Sequence, residues 1–311
     1  MQRVSVVIAA YRAAAFIEKA VASALAQEGV AVEVIVVDDA SDDDTVEVVT
    51  RLCRGDSRVK LVLNPRNTGP AGARNLGFDH ATGDWIAVLD SDDSFAPGRL
   101  AAMVGDAMQS KADIVIDDFI SVDMDGNDLI APSLAGIREA GVIDIETWVS
   151  LNLFGPSEIS FGYAKPLISR SFINKGSLRY NETLRNGEDY HFILGAIYKG
   201  AHVYFSKVVG YRYTQRDGSI SRRAQNDHMK ALLAADDSFA ARPNVKNSLE
   251  LRRLMARRRR NLTSLITTEQ VMSHLKARRF AAAGAHMMRR PGATGRVLHH
   301  LRQAFWKRLA R

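Results

Sequence analysis

The sequence predicts an α/β fold, a mostly parallel central sheet flanked by helices, and three observations point there. Through residues 1–120, short apolar runs alternate with segments of helical period, the order expected of parallel strands joined by crossover helices. The runs are near-continuous in Val, Ile and Leu, as strands covered on both faces are. Three of them end abruptly in distinctive clusters, and ligands in such sheets sit beyond the carboxyl ends of the strands.

The elements follow in order. A first strand is expected over 4–9, ending in Ala9-Ala10-Tyr11, and a helix over 15–27. The second strand, 32–38, ends in Asp38-Asp39-Ala40-Ser41; Ser41 or Asp42 suits the N-cap of a helix over 43–54. A third strand over 58–63 leads through Gly69-Pro70 into a helix over 70–80. The fourth strand, 85–89, stops at Asp90-Ser91-Asp92-Asp93, before a helix over 97–109 and a strand over 112–116. Asp123-Met124-Asp125-Gly126-Asn127 reads as a hairpin turn and 131–142 as a surface loop. The turn lacks the remaining ligand positions of a calcium loop. Leu167-Ile168 is a short apolar segment, a helix is expected over 188–199, strands over 202–206 and 208–213, and a helix over 221–240. Beyond Arg242-Pro243 the composition turns Arg-rich and helical, so three regions are expected: 1–120, 121–241 and a basic extension over 242–311.

Composition narrows the class. A hydrophobic content of 46% and a charged content of 25% are those of an ordinary soluble globular protein. Cys53 is the single cysteine, which excludes a disulfide framework and a thiolate metal cage and fits a reducing cytosol. Met1-Gln2-Arg3 leads straight into a strand with no signal-peptide pattern, and no apolar stretch reaches the roughly 18 residues that a membrane span needs. The net charge of +7 hides an asymmetry. Residues 242–311 hold 18 Lys and Arg against Glu250 and Glu269, a net of +16, which leaves −9 on the other 241 residues. An acidic body and a basic tail imply different partners.

Chemistry concentrates at the strand ends. Three carboxylates within four positions at 90–93 repel one another unless a counter-charge is present, and hard oxygen donors suit Mg²⁺ or Mn²⁺ with a phosphorylated ligand. Taken alone, the cluster is equally consistent with a solvated acidic turn. Asp39 at its strand end can accept hydrogen bonds from a base N–H or a ribose hydroxyl, or cap a helix. Gly69-Pro70-Ala71-Gly72-Ala73-Arg74 opens a helix and lets backbone pass close to a ligand, with Arg74 within reach of a phosphate or a base pocket. The same glycines suit a purely structural turn. His80, His191 and His202 lack the spacing of a zinc site.

Four motifs occur together in order: Val4-Ser5-Val6-Val7-Ile8-Ala9-Ala10-Tyr11, Val36-Val37-Asp38-Asp39-Ala40-Ser41, Asn67-Thr68-Gly69-Pro70-Ala71-Gly72-Ala73-Arg74-Asn75, and Asp90-Ser91-Asp92-Asp93. A fifth, Arg185-Asn186-Gly187-Glu188-Asp189-Tyr190, lies downstream. Over residues 3–220 the chain resembles the family 2 glycosyltransferases, inverting enzymes of the Rossmann-like GT-A fold that use nucleotide-sugars. The resemblance implies uracil recognition by Asp39 and backbone contacts near Ala9 and Tyr11, although Ala9 and Arg12 depart from the commoner residues there. It implies Asp92 as the Mn²⁺ or Mg²⁺ ligand, Asp90 with Ser91 beside the ribose or sugar, and Asp93 holding the loop. It implies Asp189 as general base, with Glu188 orienting an acceptor hydroxyl. Arg212, Arg216 and Arg222 stand where the family folds a mobile loop over the diphosphate, or are solvated charges. Lys165, before Pro166, lies in the acceptor-side segment and either meets substrate or is structural.

The same resemblance points to bacterial glucosyl- or galactosyltransferases of surface-polysaccharide assembly, with a UDP-sugar donor and a lipid-linked saccharide acceptor. A sugar-phosphate nucleotidyltransferase would carry a Gly-rich loop with a basic residue right after the first strand, where this chain has Ala9-Ala10-Tyr11-Arg12. A non-catalytic module on the same scaffold would lose the D-x-D or Asp189, and both are present. In the tail, Val297, Leu298, Leu301, Phe305 and Leu309 form an apolar stripe, with Trp306 nearby and Arg296, Arg302, Lys307, Arg308 and Arg311 on other faces. This pattern suits an anionic membrane surface, packing on the catalytic domain or, least well, nucleic acid. The expected location is cytoplasmic, peripheral at the cytoplasmic face of the inner membrane, with no nucleic-acid partner.

Overall fold

The structure, a computed structural model, describes residues 1–129, 141–154, 164–215, 226–298 and 301–302. It divides into two compact units, Met1–Trp148 with Phe161–Ser219, and Val149–Ser160 with Ile220–Arg311.

The first unit is built on one sheet. Its described strands are β1 (Arg3–Ala10), β2 (Ala31–Asp38), β3 (Val59–Leu63), β4 (Trp85–Asp90), β5 (Ser94–Phe95), β6 (Ile114–Val122), β7 (Gly141–Val142), β8 (Leu167–Ser169) and β9 (Val203–Thr214). The spatial order is β3-β2-β1-β4-β8-β6-β9-β5, with β7 also paired to β9. β1 pairs in parallel with β2 and β4, β2 with β3, and β6 with β9. β8 runs the other way and joins β4 to β6, its Ile168 standing between Ile86 and Ile114. Val4, Val6, Val7 and Ile8 of β1 are fully buried, each worth about 1.5–3 kcal/mol relative to exposure.

Helices cover this sheet as the periodicity requires. In α1 (Ile17–Leu25) the buried residues Ile17, Ala20, Val21 and Ala24 recur at helical spacing and make one apolar stripe. α2 (Thr45–Gly55) follows β2. α3 (Gly69–His80) has Pro70 in its first turn, where no backbone N–H is missed. α4 (Arg99–Ser110) leads into β6; α5 (Ile145–Ser150), α6 (Arg170–Gly176) and α7 (Glu188–Tyr198) complete the series before β9. The Asp123–Asn127 turn is a hairpin: the Asp123 N–H donates to the Asn127 carbonyl (2.9 Å), the Asn127 N–H donates to Asp123 Oδ1 (2.8 Å), and Val122 bridges Asp128.

Two expectations change. The separate strands at 202–206 and 208–213 are one strand, because β9 stays paired to β6 through register shifts around Asp118 that absorb the exposed Lys207 and Val209. The expected division at residue 120 falls inside β6, and strands from both sides of it share one sheet.

The second unit is helical: α8 (Asn226–Ala240), α9 (Pro243–Asn247), α10 (Leu249–Lys276) and α11 (Phe280–Arg289), then a 3₁₀ turn at Pro291–Ala293. The composition shift at Arg242 lies within this unit, because Met229 and Leu232 of α8 pack with Leu262 and Ile266 of α10. Arg258, from the Arg257–Arg260 run, is buried, donates to Asp236 (2.9 Å) and to the Asn152 carbonyl, and lies over the Phe154 ring. Val297 packs with Val271 and Ala283, so it leaves the proposed exposed stripe, whereas Leu298 and Leu301 are exposed. Phe305, Trp306 and Leu309 lie outside the described residues. Among the described residues no helix is long and apolar enough to cross a membrane.

Candidate active site

Strand register brings the distinctive strand ends together. Ala10 sits beside Asp38, and Ala9 lies between Val37 and Asp90, so β1 is flanked by both acid-tipped strands. The Asp39 N–H donates to the Ala10 carbonyl (2.8 Å). Tyr11, just beyond, is exposed, with the Arg12 guanidinium 5.4 Å from its ring centre. Arg12 itself forks onto Asp42 (2.6 Å to each oxygen).

Asp39 is buried and heavily used. Its Oδ1 accepts from Asn64 Nδ2 (2.8 Å) and from the Thr68 N–H (2.9 Å) and hydroxyl (3.1 Å), while Oδ2 accepts from the Gly69 N–H (2.7 Å). It therefore holds the segment that starts α3. Gly69 has φ +79°, and a Cβ there would meet the Arg185 side chain, which donates to Asn67 Oδ1 (2.9 Å). The fifth motif thus reaches the start of α3 through Arg185.

At the end of β4 the acidic residues take different surroundings. Asp93 is buried; its Oδ2 accepts from the Tyr211 hydroxyl (2.6 Å) and its Oδ1 from the Thr214 N–H (2.8 Å), which ties the turn to β9. Burial, with the charges of Asp92 and Asp90, pushes the Asp93 carboxyl well above the usual carboxylate range. Ser91 and Asp92 are half-buried in the turn. Asp90 turns toward two cations, Arg74 Nη2 (2.6 Å) and Lys165 Nζ (2.9 Å). Burial opposes its ionisation, but Lys165 and Arg74 outweigh that and hold it well below the usual range.

Those cations also hold the acidic start of α7. Arg74 Nη1 donates to Glu188 Oε1 and to Asp189 Oδ1, both at 2.9 Å. Lys165 Nζ donates to Asp189 Oδ2 (2.6 Å), and the Tyr180 hydroxyl to Asp189 Oδ1 (2.9 Å). Tyr180 stacks on Phe192 with centroids 4.2 Å apart and lies beneath the Arg74 guanidinium. Burial would discharge Arg74 and Lys165, yet Asp189 and Asp90 raise both above their ordinary values. Glu188 is pushed up by burial and further by the charge of Asp189, against the opposing pull of Arg74.

Lys165 is fixed from behind. Arg99, fully buried, forks onto Asp117 (2.8 and 2.7 Å) and donates to the Lys165 carbonyl (2.7 Å). Gly210 of β9 makes room for that pair, since a Cβ there would lie 2.4 Å from Arg99 Cγ.

The expected residues are therefore dispersed over several roles. Asp90, Arg74, Glu188 and Asp189 meet in one cluster. Arg212 is directed to the hairpin turn instead, donating to the Gly126 carbonyl and Asp128 (2.8 Å each). Arg216 and Arg222 lie outside the described residues. Tyr180, Arg99 and Asp117 carry no motif signal. Lys165 had one weak cue, a cation beside Pro166 at the head of an apolar segment.

The metal question turns on the donor set. No trio of His, Cys, Asp or Glu among the described residues is arranged to hold a metal ion. Mg²⁺, however, commonly takes one or two carboxylates, several waters and substrate phosphates. Asp92, half-buried in the turn after β4, presents carboxylate oxygens of the hard kind such an ion takes.

Comparison with known proteins identifies the family and the fold. Residues 5–161 match the family described as Glycosyl transferase family 2. The chain is 39% identical over 308 residues to the succinoglycan biosynthesis protein ExoO of Rhizobium meliloti (strain 1021), covering 99% of this chain and 86% of that protein. It is 36% identical over 115 residues, 37% of each chain, to a GalNAc(5)-diNAcBac-PP-undecaprenol beta-1,3-glucosyltransferase of Campylobacter jejuni. Its fold is similar to that of S. aureus TarS 1-349, solved in complex with UDP-GlcNAc, with a TM-score of 0.63, 16% identity, and 93% of this chain and 92% of that chain covered. With three distinctive strand ends side by side on a GT-A sheet and a relative alike over nearly the whole of this chain, the chain belongs to glycosyltransferase family 2 and is a glycosyltransferase.

Proposed function

We propose that the chain transfers a hexose, glucose or galactose, from a UDP-sugar to a lipid-linked saccharide in bacterial exopolysaccharide biosynthesis, by metal-assisted single displacement with inversion. The observation that carries this reading is the meeting of Asp90, from the β4 end, with Glu188 and Asp189, from α7, on the shared cations Arg74 and Lys165. The name of the succinoglycan biosynthesis relative supports the pathway class, the undecaprenol-linked substrate in the name of the Campylobacter relative supports the acceptor, and the UDP-GlcNAc complex of TarS supports the donor.

In this reading the uracil lies near Asp39 and Tyr11, and the sugar near Asp90 and Ser91. The acceptor hydroxyl gives its proton to Asp189 as its oxygen bonds to the anomeric carbon; the bond from that carbon to the diphosphate oxygen breaks, and UDP leaves. Asp92 would hold a Mg²⁺ or Mn²⁺, which would supply neutralising charge for the departing diphosphate. Attack opposite the leaving group inverts the anomeric centre. Calorimetry of UDP with and without Mn²⁺, for the native chain and Asp92→Asn, tests the donor class. Mn²⁺-dependent binding lost in the variant is expected; no UDP binding in either condition overturns the reading.

An anionic membrane surface is the partner we assign to the basic unit. Phe280 and Met288 of α11 are 67% and 79% exposed, between Arg278-Arg279 and Arg289-Arg290. Apolar side chains framed by arginines suit the headgroup boundary of anionic lipid. Replacing Phe280 and Met288 with Asp should reduce co-sedimentation with phosphatidylglycerol vesicles, and unchanged sedimentation removes this surface.

A further inference from the structure

A carboxylate offers about four lone-pair directions, two on each oxygen. On Asp189, Oδ1 accepts from both Arg74 Nη1 and the Tyr180 hydroxyl, at 2.9 Å each, so its two directions are filled. Oδ2 accepts from Lys165 Nζ at 2.6 Å, which among the described residues leaves one direction on that oxygen. The same ammonium reaches Asp90 Oδ2 at 2.9 Å, on the other side of the cluster.

We propose that Lys165 is a positioning residue that makes Oδ2 of Asp189 the proton-accepting atom and keeps it in register with Asp90. This rests on Asp189 being the base. Three features make the lysine suited to the task. It is buried, so its ammonium has little freedom to leave the two carboxylates. Its own carbonyl is held by Arg99, itself locked onto Asp117, and the next carbonyl, Pro166, accepts from the Val88 N–H of β4 at 3.2 Å. The reversed strand β8 begins two residues on and is paired on both sides. The backbone that carries the ammonium is therefore fixed by the sheet, and the ammonium spans Asp90 and Asp189 from that anchor.

When the acceptor hydroxyl releases its proton to Oδ2, Asp189 becomes neutral and Lys165 keeps Asp90 as its charged partner. The lysine holds its proton throughout. A lysine that merely neutralised buried charge would affect folding and leave turnover per folded molecule intact; a positioning lysine affects turnover.

The test uses the full chain with UDP-glucose, UDP-galactose or UDP-GlcNAc, whichever the native chain turns over fastest, following UDP release. Lys165→Ala should lower kcat about 100-fold while UDP affinity stays within about threefold, and added ethylammonium should restore at least about tenfold. Lys165→Met, which keeps the stem, should show the same loss in kcat per folded molecule, with the folded fraction at the assay temperature measured by circular dichroism. Native-like kcat in either variant overturns the proposal, as does a loss that tracks the unfolded fraction and ignores ethylammonium. Asp189→Asn is run beside them: full turnover there refutes the base assignment itself, whereas an inactive Asp189→Asn beside an active Lys165→Ala refutes only the role of the lysine.

Discussion

The sheet unit contains two buried ionic clusters built on opposite terms. Arg99 and Asp117 are paired one to one, both fully buried, fork on carboxylate. At the strand ends, Arg74 and Lys165 serve three carboxylates, Asp90, Glu188 and Asp189. In the sealed pair burial wins: the Asp117 carboxyl is pushed up despite the guanidinium beside it. In the open cluster Asp90, with two cations, is held down, while Glu188, with one, is pushed up by burial and by Asp189. A balanced pair leaves no charge for a ligand to answer. An unbalanced one leaves a surplus carboxylate, and the proton transfer proposed above is assigned to that cluster.

The contrast can be broken by substitution. The largest effect is expected from Asp189→Asn, which should cut glycosyl transfer about 10²–10⁴-fold while UDP still binds, as kinetics and calorimetry on one preparation would show. Full transfer would remove the base from the open cluster. Next, Arg99→Met should cost about 3–5 kcal/mol in urea unfolding, because it strands Asp117 without its partner. Adding Asp117→Leu to Arg99→Met should then recover a large part of that loss, and a double-mutant cycle measures how much. No recovery would mean that Arg99 matters for the Lys165 carbonyl or for the Phe95 and Tyr211 rings it lies over.

The smallest effect is a slope. Glu188 keeps its proton to higher pH when folded than its ordinary value of 4.5, so the unfolded chain ionises first as pH rises. Its contribution to stability is thus complete below about 4.5 and is lost as pH climbs through the raised folded value. Glu188→Gln should flatten stability against pH in that window, and an unchanged slope would place the titration elsewhere.

Much of this was legible beforehand, for local reasons. Val4–Ile8, Val34–Val37 and Trp85–Leu89 are runs only buried strands tolerate, and their polar ends mark the ligand edge. The E-D pair at the start of α7 is a short-range pattern, so it could be read. Lys165 meeting Asp90 and Asp189 could not, since that contact depends on β8 entering antiparallel, a tertiary fact with no sequence period. Arg212 shows the reverse: its position beside the expected loop suggested diphosphate, but a turn folded 84 residues earlier supplies Asp128 as its partner. Arg258 was hidden inside a run of four arginines of the same local pattern, and the opposing Asp236 on α8 distinguishes it.

The wedge of β8 between β4 and β6 also sets a schedule during synthesis. Residues 1–122 contain every strand needed for β3-β2-β1-β4, and they contain β6, yet β4 and β6 do not pair with each other. Each waits on the ribosome with an open, apolar edge until Leu167–Ser169 emerges, roughly 2–9 s later at ordinary elongation rates. Trp85, Ile86 and Ala87 of β4 and Ile114 and Val115 of β6 are the residues on those edges. The interval is an opening for chaperone capture or for wrong edge-to-edge association, and a nascent chain arrested before residue 167 is the species in which either would be caught.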